Sequence, residues 1–202
     1  MKNKGMMIGC AIGAVVLLAV GMLVVWGISS YNNMISLDQA VVQQWSQVEN
    51  QYQRRADLIP NLVNTVKGYA DFEKEVLTKV TEARARVSQF NITPELLNDP
   101  QAFAKFQSLQ GELSGALSRL LVTVENYPQL KANENFLQLQ AQLEGTENRI
   151  SVERKKFNEV VQSYNTTIKR FPASMLAGMF GFGEKPYFKA IQGADTPPKI
   201  EF

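Results

Sequence analysis

Residues 133–171, NENFLQLQAQLEGTENRISVERKKFNEVVQSYNTTIKRF, place an apolar or aromatic side chain at every seventh position: Phe136, Leu143, Ile150, Phe157, Tyr164 and Phe171. A seven-residue repeat keeps one stripe of a helix turned towards a partner, so the segment predicts a long α-helix with a coiled-coil seam. Asn133 is placed to cap its first turn. The seam can serve the protein's own bundle or a neighbouring subunit.

Working back towards the N-terminus, Phe103, Phe106, Leu113, Leu117, Leu120 and Val124 draw the stripe of another helix, started by Asp99-Pro100 and ended by Pro128. Gly111 and Gly115, one turn apart in it, predict a place where a second helix approaches closely. The stretch 91–100, NITPELLNDP, carries two prolines with Asn and Asp and reads as a loop holding one helical turn. Before it, Ile59, Leu62, Val66, Tyr69, Val76, Val80 and Val87 keep near-heptad spacing. They predict a helix from about Asp57 to Phe90, on the order of 50 Å long at 1.5 Å per residue, with Glu73 as a polar interruption. Pro60 marks either a kink or the start of that helix. Val41, Trp45, Val48 and Tyr52, spaced 4-3-4, draw the stripe of the helix before it.

Gly5 to Ile28, GMMIGCAIGAVVLLAVGMLVVWGI, is uncharged and long enough as a helix to cross the roughly 30 Å hydrocarbon core of a bilayer. It is longer than the apolar core of a signal peptide and too apolar all round for a bundle face. Lys2 and Lys4 precede it and no Lys or Arg follows until Arg54, so the positive-inside rule puts the N-terminus in the cytoplasm. The expected place is the bacterial cytoplasmic (inner) membrane, crossed once, with the bundle outside it. Nothing between Tyr31 and Arg55 forces a break, so this helix can run on into the bundle, with Ser29, Ser30, Asn32 and Asn33 its weakest point.

The expected fold is therefore all-α: an N-terminal transmembrane helix, an antiparallel bundle of about four long helices, and a short irregular C-terminal tail. The layout is residues 1–30 for the N-terminus and anchor, 31–171 for the bundle and 172–202 for the tail. After Phe171 glycines and prolines accumulate, and Met175, Leu176, Met179, Phe180 and Phe182 form an apolar cluster. That cluster can pack across one end of the bundle, lie on a lipid surface or meet another subunit. Lys199 to Phe202 reads as a short terminal strand.

Composition narrows the chemistry. The chain has no histidine, which removes serine–histidine triads, histidine bases and the Glu-x-x-His pairs of di-iron bundles. The single cysteine, Cys10, lies in the apolar run, so the soluble part has no disulfide and no thiol site. Lys and Arg number 21 against 19 Asp and Glu, and without Lys2 and Lys4 the charges balance, so nothing favours nucleic acid. No catalytic, metal-binding or cofactor-binding residues are expected.

Two charged groups stand out. Arg54, Arg55, Asp57 and Asn61 gather around Pro60, and Glu147, Arg149, Glu153 and Arg154 gather midway along the last long helix. In an antiparallel bundle they can meet as an ion-pair layer that fixes register, or line a ligand site. Glu153, three residues after Ile150, would face inward and need an arginine partner.

Several longer motifs resemble a known family. Tyr31-Asn32, the run 45–48 (WSQV), the run 54–63 (RRADLIPNLV), the run 67–70 (KGYA), the run 147–150 (ENRI), the run 154–158 (RKKFN), Tyr164-Asn165, Phe171-Pro172, the run 180–182 (FGF) and Tyr187-Phe188 are similar, in this order, to the signature of the LemA family. The resemblance covers nearly the whole chain. It implies a short N-terminus, one anchor and an antiparallel helical bundle. It supplies no biochemical activity, although genes of that family often neighbour a membrane-bound metalloprotease. The expected function is a membrane-anchored helical scaffold or interaction protein of the cell envelope that forms homo-oligomers and is not an enzyme. The alternatives are an adaptor of a membrane protease or other envelope protein, and a lipid-binding or membrane-remodelling protein.

Overall fold

In the computed structural model, residues 2–68, 73–90 and 92–189 are described, with side chains from Ile12 onward. Among the described residues six α-helices follow one another: α1 (Lys2–Lys67), α2 (Lys74–Gln89), α3 (Pro100–Val124), α4 (Pro128–Lys131), α5 (Glu134–Lys169) and α6 (Ala173–Phe180). A 3-10 turn, Pro94–Asn98, precedes α3. The expected all-helical fold is observed. The suggested strand at Lys199–Phe202, like Tyr69 and Asn91, lies outside the described residues.

The chain forms two compact units, one from Met1–Ala40 and Gln162–Glu184, the other from Val41–Val161 and Lys185–Phe202. The second is the bundle proper. In it the stripe of α1 is longer than the sequence reading traced: Val41, Trp45, Val48, Tyr52, Arg55, Ile59, Leu62 and Val66 are all buried, alternating steps of four and three.

Pro60 lies inside α1 and neither starts nor ends it. Proline has no N–H to offer the carbonyl of Ala56 four residues back, which would leave that acceptor unpaired. Arg84 of α2 supplies the missing donor, its Nε lying 2.9 Å from the Ala56 oxygen. The expected helix from Asp57 to Phe90 is instead two: α1 ends at Lys67, and α2 begins at Lys74 after Glu73 adopts an extended backbone. Gly68, which follows Lys67, is a poor helix residue, so the chain can reverse there at little cost.

Pairings fix the topology. Arg55 meets Glu147 and Gln44 meets Glu153, so α1 and α5 are antiparallel. Trp45 touches Phe103 and Arg55 bonds to Ser114, so α1 and α3 are parallel. Arg86 pairs with Glu112 at 3.3 Å, while Lys79 and Arg119 border one surface hollow, so α2 and α3 are antiparallel. The result is an up-down-up-down bundle.

Local signals hold at the helix starts. Asp99 Oδ1 accepts from the amides of Gln101 and Ala102 at 2.9 and 3.0 Å, and Asn133 Oδ1 accepts from that of Phe136 at 3.0 Å. The seam of α5 holds from Phe136 through Tyr164, each at most 6% exposed. Phe171 is the correction: it is 81% exposed, because α5 ends at Lys169 and the residue before Pro172 is pushed out of helical geometry.

Gly111 and Gly115 are also corrected. A Cβ built at either would meet nothing within 4 Å, so no helix approaches there. Gly115→Ala is therefore expected to stabilise the bundle by about 0.5–1 kcal/mol through helix propensity alone. A higher urea midpoint checks this; a lower one would show that the site is crowded after all.

In the first unit, residues from Ile12 to Ile28 include Val15, Leu17, Met22, Leu23 and Val25 among the exposed large apolar side chains. From Ile12 onward α1 is long and apolar enough to cross a membrane. Met34, Tyr164, Ile168 and Ala177 are buried in this unit. Burial pushes the Tyr164 phenol up to about 12, with the charge of Asp38 adding to it.

Candidate functional site: the Arg55 layer of the bundle

The bundle core has two parts with different chemistry. One is aliphatic, built from Ile59, Leu62 and Val66 of α1, Val76, Val80 and Val87 of α2, Leu113, Leu117 and Leu120 of α3, and Leu143 of α5. The other is aromatic and centres on Trp45, whose ring lies 5.7 Å from Phe103, 5.4 Å from Phe106, 5.7 Å from Phe157 and 6.1 Å from Phe188. Phe188 comes from the non-helical segment after α6, which lies against α3 and α5 as a strap. Asn158 holds it by two bonds to the Phe188 backbone, donating to the carbonyl at 3.0 Å and accepting from the amide at 2.9 Å. Gln107 and Arg154 both donate to the carbonyl of Lys189, at 2.7 and 2.8 Å, and Lys185 donates to Asn98 at 2.7 Å.

Between these parts a single charge takes a seam position. Arg55 is 1% exposed and follows Tyr52 by three residues and precedes Ile59 by four. Its Nη1 donates to Ser114 Oγ and to Glu147 Oε2, each at 2.7 Å, and its Nη2 donates to the carbonyl and side-chain oxygens of Gln110. The ring of Tyr52 lies 5.2 Å from the guanidinium carbon. Glu147 is the wet partner: its side chain keeps 53% of its surface, so the pair bridges interior and solvent. Arg55 Nε and Gln110 Nε2 are buried with no hydrogen-bond partner among the described residues, at a cost of about 1–3 kcal/mol each that an apolar layer would not carry.

Beside this layer lies a groove of about 420 Å³ lined by Tyr52, Arg55, Gln107, Ser108, Gln110, Ser114, Glu147, Arg154 and Lys189, among others. Arg154 sits 4.7 Å over the ring of Phe188 and is charge-coupled to Tyr52. Burial pushes the Tyr52 phenol up, against the opposing pull of Arg154 and Arg55. The lone carboxylate of the groove is tied to Arg55, and the Ser114 oxygen accepts from the same guanidinium. Neither is poised as a base or a nucleophile. Among the described residues no three potential metal ligands of the His, Cys, Asp and Glu types converge.

Of the eight charged or polar residues singled out in the sequence, Arg55 and Glu147 meet, and Arg154 joins them across the groove. Arg54, Asp57, Asn61 and Arg149 are exposed. Glu153 takes no arginine: Gln44 donates to it at 2.7 Å and Lys156 at 2.8 Å, and Lys156 above all holds its carboxyl below the usual range. Lys156 reaches it because the two lie three residues apart on one helix face. The sequence analysis names neither Gln110 nor Ser114, and Phe188 only as part of the Tyr187-Phe188 motif. Gln110 falls on the stripe of α3, four residues after Phe106 and three before Leu113, which is a readable sign that it turns inward, whereas Ser114 carries no such signal. The step of three and then four from Tyr52 through Arg55 to Ile59 was a readable sign that Arg55, and not Arg54, turns inward.

The apolar tail residues lie in the other unit. Met175, Met179 and Phe180 are exposed and Leu176 and Phe182 half-buried, and the rings of Phe180 and Phe182 lie 4.9 and 5.7 Å from that of Tyr31.

The chain is similar to several known proteins. The magnetosome protein MamQ of Magnetospirillum gryphiswaldense is 27% identical over 184 residues, covering 83% of this chain and 67% of the relative. MamQ 2 of Paramagnetospirillum magneticum is 26% identical over 184 residues with the same coverage. Protein LemA of Metamycoplasma hominis is 25% identical over 161 residues, covering 79% of this chain and 69% of the relative. The model of the LemA family matches residues 44–202, which takes in the aromatic core, the Arg55 layer and the strap but not the apolar run. With that match extending over most of its length, this helical chain belongs to the LemA family.

Proposed function

We propose that this chain is a single-span membrane anchor carrying a non-catalytic helical scaffold, which acts by presenting a long helical surface at the membrane and assembles with copies of itself. The observation that carries this reading is α1, where an uncharged run of membrane-crossing length and the central seam of the bundle belong to one helix. The distribution of chemistry supports it. Aromatic rings, aliphatic side chains and the Arg55 layer fill the bundle interior, and Glu147 and Ser114 beside that layer are both engaged by Arg55, which leaves the helical surface for partners. Lys2 and Lys4 on the short side of the apolar run favour a cytoplasmic N-terminus and a bundle outside the inner membrane. Under this reading the Arg55 layer is a register device: only one alignment of α1, α3 and α5 lets Arg55 meet Gln110, Ser114 and Glu147 together.

A second reading, an adaptor for a membrane protease or another envelope protein, is favoured by one feature. Arg54, Asp57 and Asn61 lie exposed on α1 at helical spacing and take no part in the core. They form a polar stripe suited to a protein partner.

The test is the mass of the full-length protein in mild detergent, beside that of a chain beginning at Tyr31. A discrete assembly of several subunits for the full-length protein is the expected result. Two monomers would remove the scaffold reading and leave the adaptor.

A further inference from the structure

Phe171, Met175, Met179 and Phe180 are 81%, 64%, 77% and 56% exposed and fall within one short stretch around α6. Outside the apolar run of α1, exposed large apolar side chains on the long helices, such as Val122, Leu137 and Val152, stand singly. Isolated exposed aliphatic residues are normal; a cluster on one element marks a contact surface.

The cluster is mounted on a polar base. Tyr164 Oη donates to the Gly183 carbonyl at 3.0 Å, and Lys169 pairs with Glu184 at 2.8 Å. These two links close a loop with α6 in its middle. Gly181, at φ 75°, ends the helix in the left-handed conformation that lets the amide of Phe182 return to the Ala177 carbonyl at 3.0 Å. Within the loop Ala177 is buried, while Met175 and Met179, one turn apart, share the open face.

Its neighbour identifies the medium that this face meets. Leu176 and Phe180 line an apolar groove of about 340 Å³ together with Val24, Gly27, Ile28 and Tyr31 of α1. Val24, Gly27 and Ile28 are in the last residues of the membrane-length run, and Tyr31 follows it. Val24 and Ile28 are themselves 54% and 58% exposed, so in a spanning α1 their open sides meet lipid. An element packed on those residues sits where hydrocarbon gives way to headgroups. Tyr31 at that level, and Lys169 and Arg170 just before α6, are side chains suited to the same boundary.

We propose that α6 is an interfacial helix: Met175, Met179, Phe180 and Phe171 enter the headgroup–acyl boundary of the leaflet beside α1, and the groove between α1 and α6 takes a lipid acyl chain. The inference rests on the reading of α1 as a membrane span.

The test uses the full chain with Cys10→Ser, reconstituted in phosphatidylcholine–phosphatidylglycerol vesicles with one nitroxide-labelled cysteine. The label is placed by Met179→Cys, with Val20→Cys as the reference in the span and Val152→Cys as the reference on the bundle surface. Collision with oxygen, which concentrates in hydrocarbon, is compared with collision with a water-soluble nickel chelate. At Met179 the nickel collision rate is expected to be several-fold below that at Val152, with oxygen access near that at Val20. If Met179 follows Val152 while Val20 remains lipid-like, the interfacial helix is wrong and the anchor stands. If Val20 itself follows Val152, the anchor reading fails and this inference with it. Protection of Met179 from both reagents would mark a protein contact, such as a second copy, and would also overturn the proposal.

Discussion

Arg55→Ala is expected to cost the bundle about 3–4 kcal/mol, far more than an arginine on a helix surface contributes. Arg55 is 1% exposed, and its removal leaves the side-chain oxygen of Gln110 and the hydroxyl of Ser114 without their donor and opens a cavity between the two parts of the core. Glu147→Ala is expected to cost less, about 1–2 kcal/mol. Its carboxylate already lies half in water, although its loss takes away the counter-charge of a buried guanidinium. Urea titrations of the two variants followed by circular dichroism check the order. Equal losses would show that the ion pair alone, and not the three-helix layer, is what Arg55 contributes. Arg55→Lys should recover little, since a single ammonium cannot reach the oxygens of Gln110, Ser114 and Glu147 in the fork geometry of arginine.

The second large effect is expected at Phe188. Phe188→Ala should destabilise the bundle by about 3 kcal/mol, at the low end for a buried phenylalanine because the strap that carries it can detach and let the site relax. The lost contacts are specific: rings of Trp45, Phe103 and Phe157 at 6.1, 4.9 and 5.4 Å, and the guanidinium of Arg154 at 4.7 Å. Limited proteolysis reads the consequence directly, as new cleavage between Gly183 and Lys189 while the long helices stay protected. If the strap remained uncut and the urea midpoint unchanged, Phe188 would be a passenger on a core that closes without it. The same substitution at Phe171, 81% exposed, should change bundle stability by no more than about 0.5 kcal/mol.

The two sites differ in how visible they were. The Arg55 layer was half legible, because charges on two helices that must run antiparallel can be placed opposite each other by counting. Arg55 and Glu147 did meet. The partners Gln110 and Ser114 come from a third helix, and no spacing rule connects them to either charge. Glu153 went to Lys156 and Gln44 because a lysine three residues along the same helix is nearer than any arginine across the bundle. Phe188 was not legible as core at all, since a non-helical segment of a few residues carries no period from which burial can be inferred.

What the amino-acid sequence by itself determined is what depends on neighbours in the chain. The membrane-length run, the seam from Phe136 to Tyr164, the caps at Asp99 and Asn133 and the turn at Pro94–Asn98 follow from hydrophobic spacing and local hydrogen bonding. The tertiary structure alone decided what depends on distant partners. Pro60 stays inside α1 because Arg84, on another helix, satisfies the carbonyl that proline abandons. Gly111 and Gly115 face open space because the bundle places its neighbours on their other sides. Phe171 leaves the seam because Pro172 ends the helix before the repeat is complete, and the strap supplies Phe188 to the core from the far end of the chain. A local pattern states which side chains seek burial; only the packed fold states which of them find a partner.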